Sequence, residues 1–258
     1  MDFVIGGLAP KTLTVIAGRP SSGKTSLAMK WALETIQSKK RVGIFTSDHS
    51  PEDFSQRMIA STSNISTKQI RNGRITDSEW PKLIQAAASV SELEVDFFPD
   101  TWISVAAVRE KAEAGKYDLL IIDKFHSLIL KDEAQEGYNN RINELNQSAI
   151  EIKGIAKELN IAIVIICDIN KGQEERVDRR PMLKDLKDLG GVLESYADVV
   201  IGLFLPAEYE QHELKSEAIL LKNRFGQQIT VSLEFNRKTQ TFSDALACEI
   251  AKPQSPPT

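Results

Sequence analysis

Gly18-Arg19-Pro20-Ser21-Ser22-Gly23-Lys24-Thr25 decides how the rest of this 258-residue chain is read. The stretch follows a run of strand formers, Thr12–Ala17, and opens a helical pattern, Ser26–Gln37. A strand, a glycine-bounded loop and a helix form the setting in which GxxxxGK[ST] binds phosphate. Glycine lets the backbone curl so that several N–H groups face one anion, and the helix N-terminus adds positive potential. The motif places Lys24 to reach β- and γ-phosphates and the Thr25 hydroxyl to join a Mg²⁺ shell. Gly18, Arg19, Pro20, Ser21, Ser22, Gly23 and Ser26 complete the expected nucleotide cradle. The plainer reading, a Gly/Ser turn feeding a helix, loses ground once the flanking strand and helix are counted.

Composition sets the frame. Hydrophobic content of 41% and charged content of 26% are those of an ordinary globular chain. The formal net charge of −4 excludes a global basic field that would draw the chain to nucleic acid, so such binding has to be local. Cys167 and Cys248 have neither a disulfide framework nor zinc spacing, which fits a reducing cytoplasm. No apolar run approaches the ~20 residues of a membrane span, and the N-terminus lacks a secretory n-region. A cytoplasmic protein with no membrane partner is expected.

Apolar β-rich runs alternate with helical patterns, as in an α/β fold whose mainly parallel twisted sheet is flanked by helices. Strands are expected at Thr12–Ala17, Arg41–Ser47, Glu94–Phe98, Tyr117–Ile122, Ile161–Cys167 and Val199–Leu205. Asn139–Leu159 carries Ile142, Leu145, Ala149, Ile152, Ala156 and Leu159 at helical spacing, one apolar stripe. Ser66…Gln69 and Thr76…Glu79 have the form of capping boxes. Lys215–Lys222 and Gln228–Phe235 predict a C-terminal antiparallel hairpin around Asn223–Gly226. One domain over 1–242 and a flexible, proline-rich tail over 243–258 follow.

Hydrolysis needs more than a phosphate loop. Asp123 closes the buried run Leu119–Asp123, where a carboxylate can hold Mg²⁺ as a Walker B group; capping a loop is its plainer use. Asp48 follows Phe45-Thr46-Ser47 and suits either a general base that polarises water or an N-cap-like aspartate ahead of a helix at Pro51. Asp168 ends the strand after Walker B, where a γ-phosphate sensor would sit. An acid there is repulsive unless a metal or lysine intervenes. Between Lys171 and Asp188, six basic residues nearly balance five acidic ones. That composition favours a solvated loop over one that offers Lys171, Arg176, Arg179, Arg180, Lys184 and Lys187 to a phosphodiester backbone. Lys222 and Arg224 share a face of the hairpin. They read as a solubility pair or as an arginine finger for another subunit's nucleotide.

With these pieces in place the chain resembles the RecA-like C-terminal ATPase domain of bacterial replicative helicases, the DnaB type. The resemblance runs from about Leu13 to Phe242. It is carried by Ala17–Met29 with its Arg-Pro-Ser, by Gln69-Ile70-Arg71-Asn72-Gly73 with Asp77-Ser78-Glu79-Trp80, and by Asp185–Asp188 with Gly190–Glu194 and Ala197-Asp198. Lys222-Asn223-Arg224-Phe225-Gly226 completes it. It implies a Mg·ATP site between subunits of a ring, typically a hexamer, with catalytic roles for Lys24, Asp48, Asp123, Lys222 and Arg224. It also implies single-stranded DNA as partner, and a helicase loader or primase as further partners. Departures accompany it. Asp48 stands where the family has Glu, Asp168 and His126 where it has Gln, and Lys187 where it has Arg. These leave two alternatives open: a weakened paralogue acting as a nucleotide-dependent adaptor or regulator, and another ATPase of the RecA/KaiC superfamily.

Overall fold

The computed structural model describes residues 7–130, 138–169, 176–189, 191–205 and 213–244; of these, the side chains of 138–140, 187–189, 213–214 and 244 are left aside. In chain order the elements are β1 (Leu13–Gly18), α1 (Lys24–Gln37), β2 (Val42–Thr46), α2 (Pro51–Ser63), α3 (Thr67–Asn72) and α4 (Trp80–Ser91). Then come β3 (Val95–Pro99), β4 (Ile103–Ser104), α5 (Val105–Gly115), β5 (Leu119–Asp123), β6 (Leu128–Ile129), α6 (Tyr138–Glu158) and β7 (Ala162–Asp168). The chain continues through α7 (Val192–Tyr196), β8 (Val199–Phe204), β9 (Glu213–Asn223), β10 (Thr230–Asn236) and β11 (Thr241–Asp244).

Nine strands form one sheet in the order β11-β10-β9-β8-β1-β7-β5-β2-β3. The six from β8 to β3 are parallel, and β9, β10 and β11 extend the sheet antiparallel. The central strands are apolar on both faces because both are covered. Leu13, Val15, Ala17, Ile163, Ile165 and Cys167 pack with α5 and α6; Ile16, Val164 and Ile166 pack with α1 and α2. This is the period-two alternation of a strand turned into two cores. Desolvation pushes the wholly buried Cys167 thiol up to about 12, so it packs as a small apolar group. Leu145, Ala149, Ile152 and Ala156 of the expected α6 stripe are buried.

Local differences have local causes. The Thr76…Glu79 box closes, with the Glu79 carboxylate accepting from the Thr76 amide at 2.9 Å and from its hydroxyl at 2.8 Å. The Ser66…Gln69 box closes only in part. Ser66 Oγ accepts from the Lys68 amide, while the Gln69 amide donates to Glu79, ten residues on, because α3 folds back beside the α4 turn. The sheet takes in Ser243 and Asp244, opposite Glu234 and Leu233, two residues beyond the expected limit of the domain; residues 245–258 lie outside the described ones. Among the described residues no helix is long and apolar enough to cross a membrane.

Candidate functional site

The loop between β1 and α1 sits where the parallel strands end. Its backbone is set by Ser21 and Gly23, at φ 64° and 91°. A non-glycine residue held in the left-handed region costs about 1–3 kcal/mol and is found where function demands the geometry. Gly18 has a steric reason: a Cβ there would lie 2.7 Å from both the Leu203 carbonyl oxygen and Ser22 Oγ. At Gly23 a Cβ would lie 2.8 Å from the Phe242 ring, which stacks on Phe235 at 4.5 Å. No side chain caps α1, so its first-turn amides, including those of Lys24, Thr25 and Ser26, face the loop without a helical acceptor. Such an end holds an anion.

Lys24 is 7% exposed and folds back over the loop, donating to the Gly18 and Arg19 carbonyls at 3.0 and 2.8 Å. Its Nζ also lies 2.8 Å from Asp168. The Thr25 hydroxyl donates to Asp123 Oδ2 at 2.9 Å. Burial pushes the Asp123 carboxyl up, and the Thr25 bond only partly opposes it. A buried carboxylate beside a hydroxyl is a hard-oxygen pair of the kind Mg²⁺ takes. Pro20, Ser21, Lys24, Thr25, Asp48, His49, Asp123, Lys124, Ile166 and Asp168 line one cavity of about 170 Å³. The Arg19 guanidinium reaches across to the Ile169 carbonyl at 3.4 Å, and Ser22 Oγ is buried without a hydrogen-bond partner among the described residues.

Three carboxylates therefore meet at adjacent strand ends. Asp168 lies beside Gly18 in register, Asp123 beside Ile166 on one side and Thr46 on the other, and Asp48 just past β2. The residue that organises them is Lys124, which no motif or spacing in the chain singles out. Its ammonium lies 2.8 Å from Asp48 and 3.3 Å from Asp168. Burial raises the Asp48 carboxyl, but hydrogen bonding and charge from Lys124 outweigh it and hold the group below its ordinary value. Burial likewise raises Asp168, and Lys24 and Lys124 together overcome it and hold that carboxyl down. The lysine that an acidic sensor position requires is thus present twice. His49 and Arg57, also unremarked in the sequence, border the loop, and burial lowers both, the His49 imidazole included. His126 is half-buried, lowered by desolvation, and its Nδ1 has no partner among the described residues.

Lys222 and Arg224 do not join this cluster. β8 starts opposite Thr14 and reaches Gly18 at Leu203, while Asn223 at the end of β9 pairs with Val199. Four residues of strand, about 13 Å, separate the two ends. At the far end Lys222 donates to the Glu194 and Ser195 carbonyls at 2.9 and 3.1 Å. Arg224 donates to Asp198 at 2.8 Å with its side chain 55% exposed. Buried Asp198 also holds Lys153 and accepts from the Leu13 amide.

The arginines of the expected DNA loop divide. Arg176 makes a two-bond pair with Asp185 at 2.9 and 2.8 Å, and Arg180 one with Glu217 at 2.6 and 2.7 Å while lying over the Phe204 ring. Arg179 and Lys184 are exposed. Lys171 and the Lys187 side chain lie outside the described residues.

Comparison with known proteins places this architecture. The model of the DnaB-like helicase C-terminal domain matches residues 1–244. Over 250 residues the chain is 30% identical to the replicative DNA helicase DnaC of Bacillus subtilis (strain 168) and 28% identical to the replicative DNA helicase DnaB of Geobacillus stearothermophilus. Both alignments take in 94% of this chain and 54% of the relative, so the chain spans about half the length of the curated relatives it matches. Among solved structures, an isolated ATPase domain has a TM-score of 0.85 at 27% identity, covering 95% of this chain and 88% of that one. A DnaB-like replicative helicase, described with its interactions with primase, gives 0.83 at 26%, covering 93% and 59%. With its phosphate loop, strand-end carboxylates and antiparallel extension, this chain belongs to the DnaB-like helicase C-terminal domain family.

Proposed function

We propose that this domain binds Mg·ATP between Gly18–Thr25 and Asp123, hydrolyses it, and couples the cycle to single-stranded DNA as the motor part of a replicative helicase. The observation that carries the reading is the Thr25–Asp123 hydrogen bond at 2.9 Å beside the folded-in Lys24, on a chain of this family. Backbone amides at the start of α1 grip the phosphates and Lys24 neutralises their charge. Thr25 and Asp123 would hold Mg²⁺, which when bound neutralises charge on the β- and γ-phosphate oxygens. Asp48, kept as a carboxylate, accepts a proton from the attacking water.

Lys222 and Arg224 act on the nucleotide of a second copy, since about 13 Å of strand separates them from their own phosphate loop. Self-association into a ring, a hexamer by family habit, and contact with a primase or loader follow from the same reading. Arg179 and Lys184 offer their charge to a DNA backbone, a contact weakened by salt.

Steady-state ATPase across protein concentration, with and without single-stranded DNA, tests this. Turnover per chain should rise with both. Turnover that is flat against both would overturn the reading.

A further inference from the structure

We propose that Lys124 is a positioning residue that carries news of the γ-phosphate to Asp48: arrival of the triphosphate takes Lys24 from Asp168, Asp168 draws Lys124 to itself, and Asp48 is released to meet water. The inference rests on the reading of this cavity as a Mg·ATP site.

An ammonium has three N–H bonds. Those of Lys24 are matched by three acceptors, the Gly18 and Arg19 carbonyls and the Asp168 carboxylate, at 3.0, 2.8 and 2.8 Å. A phosphate oxygen can engage Lys24 only by displacing one of them. Two are carbonyls of the loop itself, fixed by its fold; the third is an exchangeable anion. Once displaced, Asp168 retains one cation, Lys124, whose Nζ is already 3.3 Å away. That same Nζ stands closer, at 2.8 Å, to Asp48. Lys124 is therefore shared between two carboxylates, and removing a competitor cation from one of them shifts the balance.

Charge leads to the same assignment. Asp168 lines the cavity that would receive the γ-phosphate. With Lys24 engaged by phosphate and Lys124 absent, that carboxylate would face a polyanion with no counter-charge. The surroundings of Lys124 are otherwise polar and partly exposed, its side chain being 30% accessible, so replacing it disturbs no apolar core.

The test is a charge-rescue cycle in the full chain. Lys124→Met should lower kcat/KM for ATP about a hundredfold, the scale for deleting one charge-stabilising group. Lys124→Arg should stay within about tenfold of wild type, and Lys124→Met with Asp168→Asn should regain at least about tenfold over Lys124→Met alone, because the stranded carboxylate is gone. A merely structural lysine would not be rescued by removing a different charge. If Lys124→Met turns over like wild type, or the double variant is no better than the single, the inference falls while the ATPase reading stands. If wild-type protein gives no calorimetric Mg·ATP binding, both fall together.

Discussion

Lys24 ties two carbonyls of its own loop to a carboxylate at the end of β7. Methionine keeps its stem and removes the charge. A charged hydrogen bond is worth about 1.5–3 kcal/mol, so losing the phosphate contact should weaken ATP binding about a hundredfold. Isothermal titration of Lys24→Met with Mg·ATP measures this. Binding within a few-fold of wild type would show that the amine does not meet the phosphates. The neighbouring Asp48 departs from its family's Glu by one methylene, and its carboxylate is held by an ion pair with Lys124. That pair explains why a shorter acid keeps its place at the strand end.

At the scale of elements, the loop after β7 is braced by the Arg176–Asp185 and Arg180–Glu217 pairs. Arg180→Ala should therefore loosen the contact between this loop and β9. Arg179→Ala and Lys184→Ala should each reduce the slope of log affinity for single-stranded DNA against log salt by about 0.7 and leave the melting temperature unchanged. Fluorescence anisotropy at several salt concentrations separates the two classes. An unchanged slope in both exposed variants would remove this loop from the DNA path. The phosphate loop, its flanking elements, the parallel strands and the C-terminal hairpin were legible because local patterns encode them. Lys124 was not. Its two partners, 76 and 44 residues away in the chain, meet it only because β5 lies between β2 and β7 in the sheet. The engagement of Arg176 and Arg180 was hidden for the same reason, since composition counts charges without saying which face inward. Gln69 shows the limit at short range, where a residue with capping-box spacing found a better partner across a turn.

For the molecule as a whole, the titration of its buried histidines sets a pH dependence. Burial lowers His49 and His126 below the ordinary 6.5. The unfolded chain therefore binds more protons as pH falls through 6.5, and stability declines from there until the folded-state values are passed. Asp48 and Asp168, both held low, contribute in the opposite window: their pairs persist through this range and are lost only below the ordinary 3.8. Urea midpoints should fall between about pH 7.5 and 5.5, the range that brackets the ordinary histidine value. The fall should flatten in a His49→Asn/His126→Asn variant, and an equal slope in that variant would refute the assignment. The separation of the phosphate loop from Arg224 has a consequence for mixtures of inactive chains. A Lys24→Met chain still presents its finger, and an Arg224→Ala chain still offers an intact cradle. Blended in equal parts, two dead preparations should revive one another, with about a quarter of the head-to-tail junctions whole.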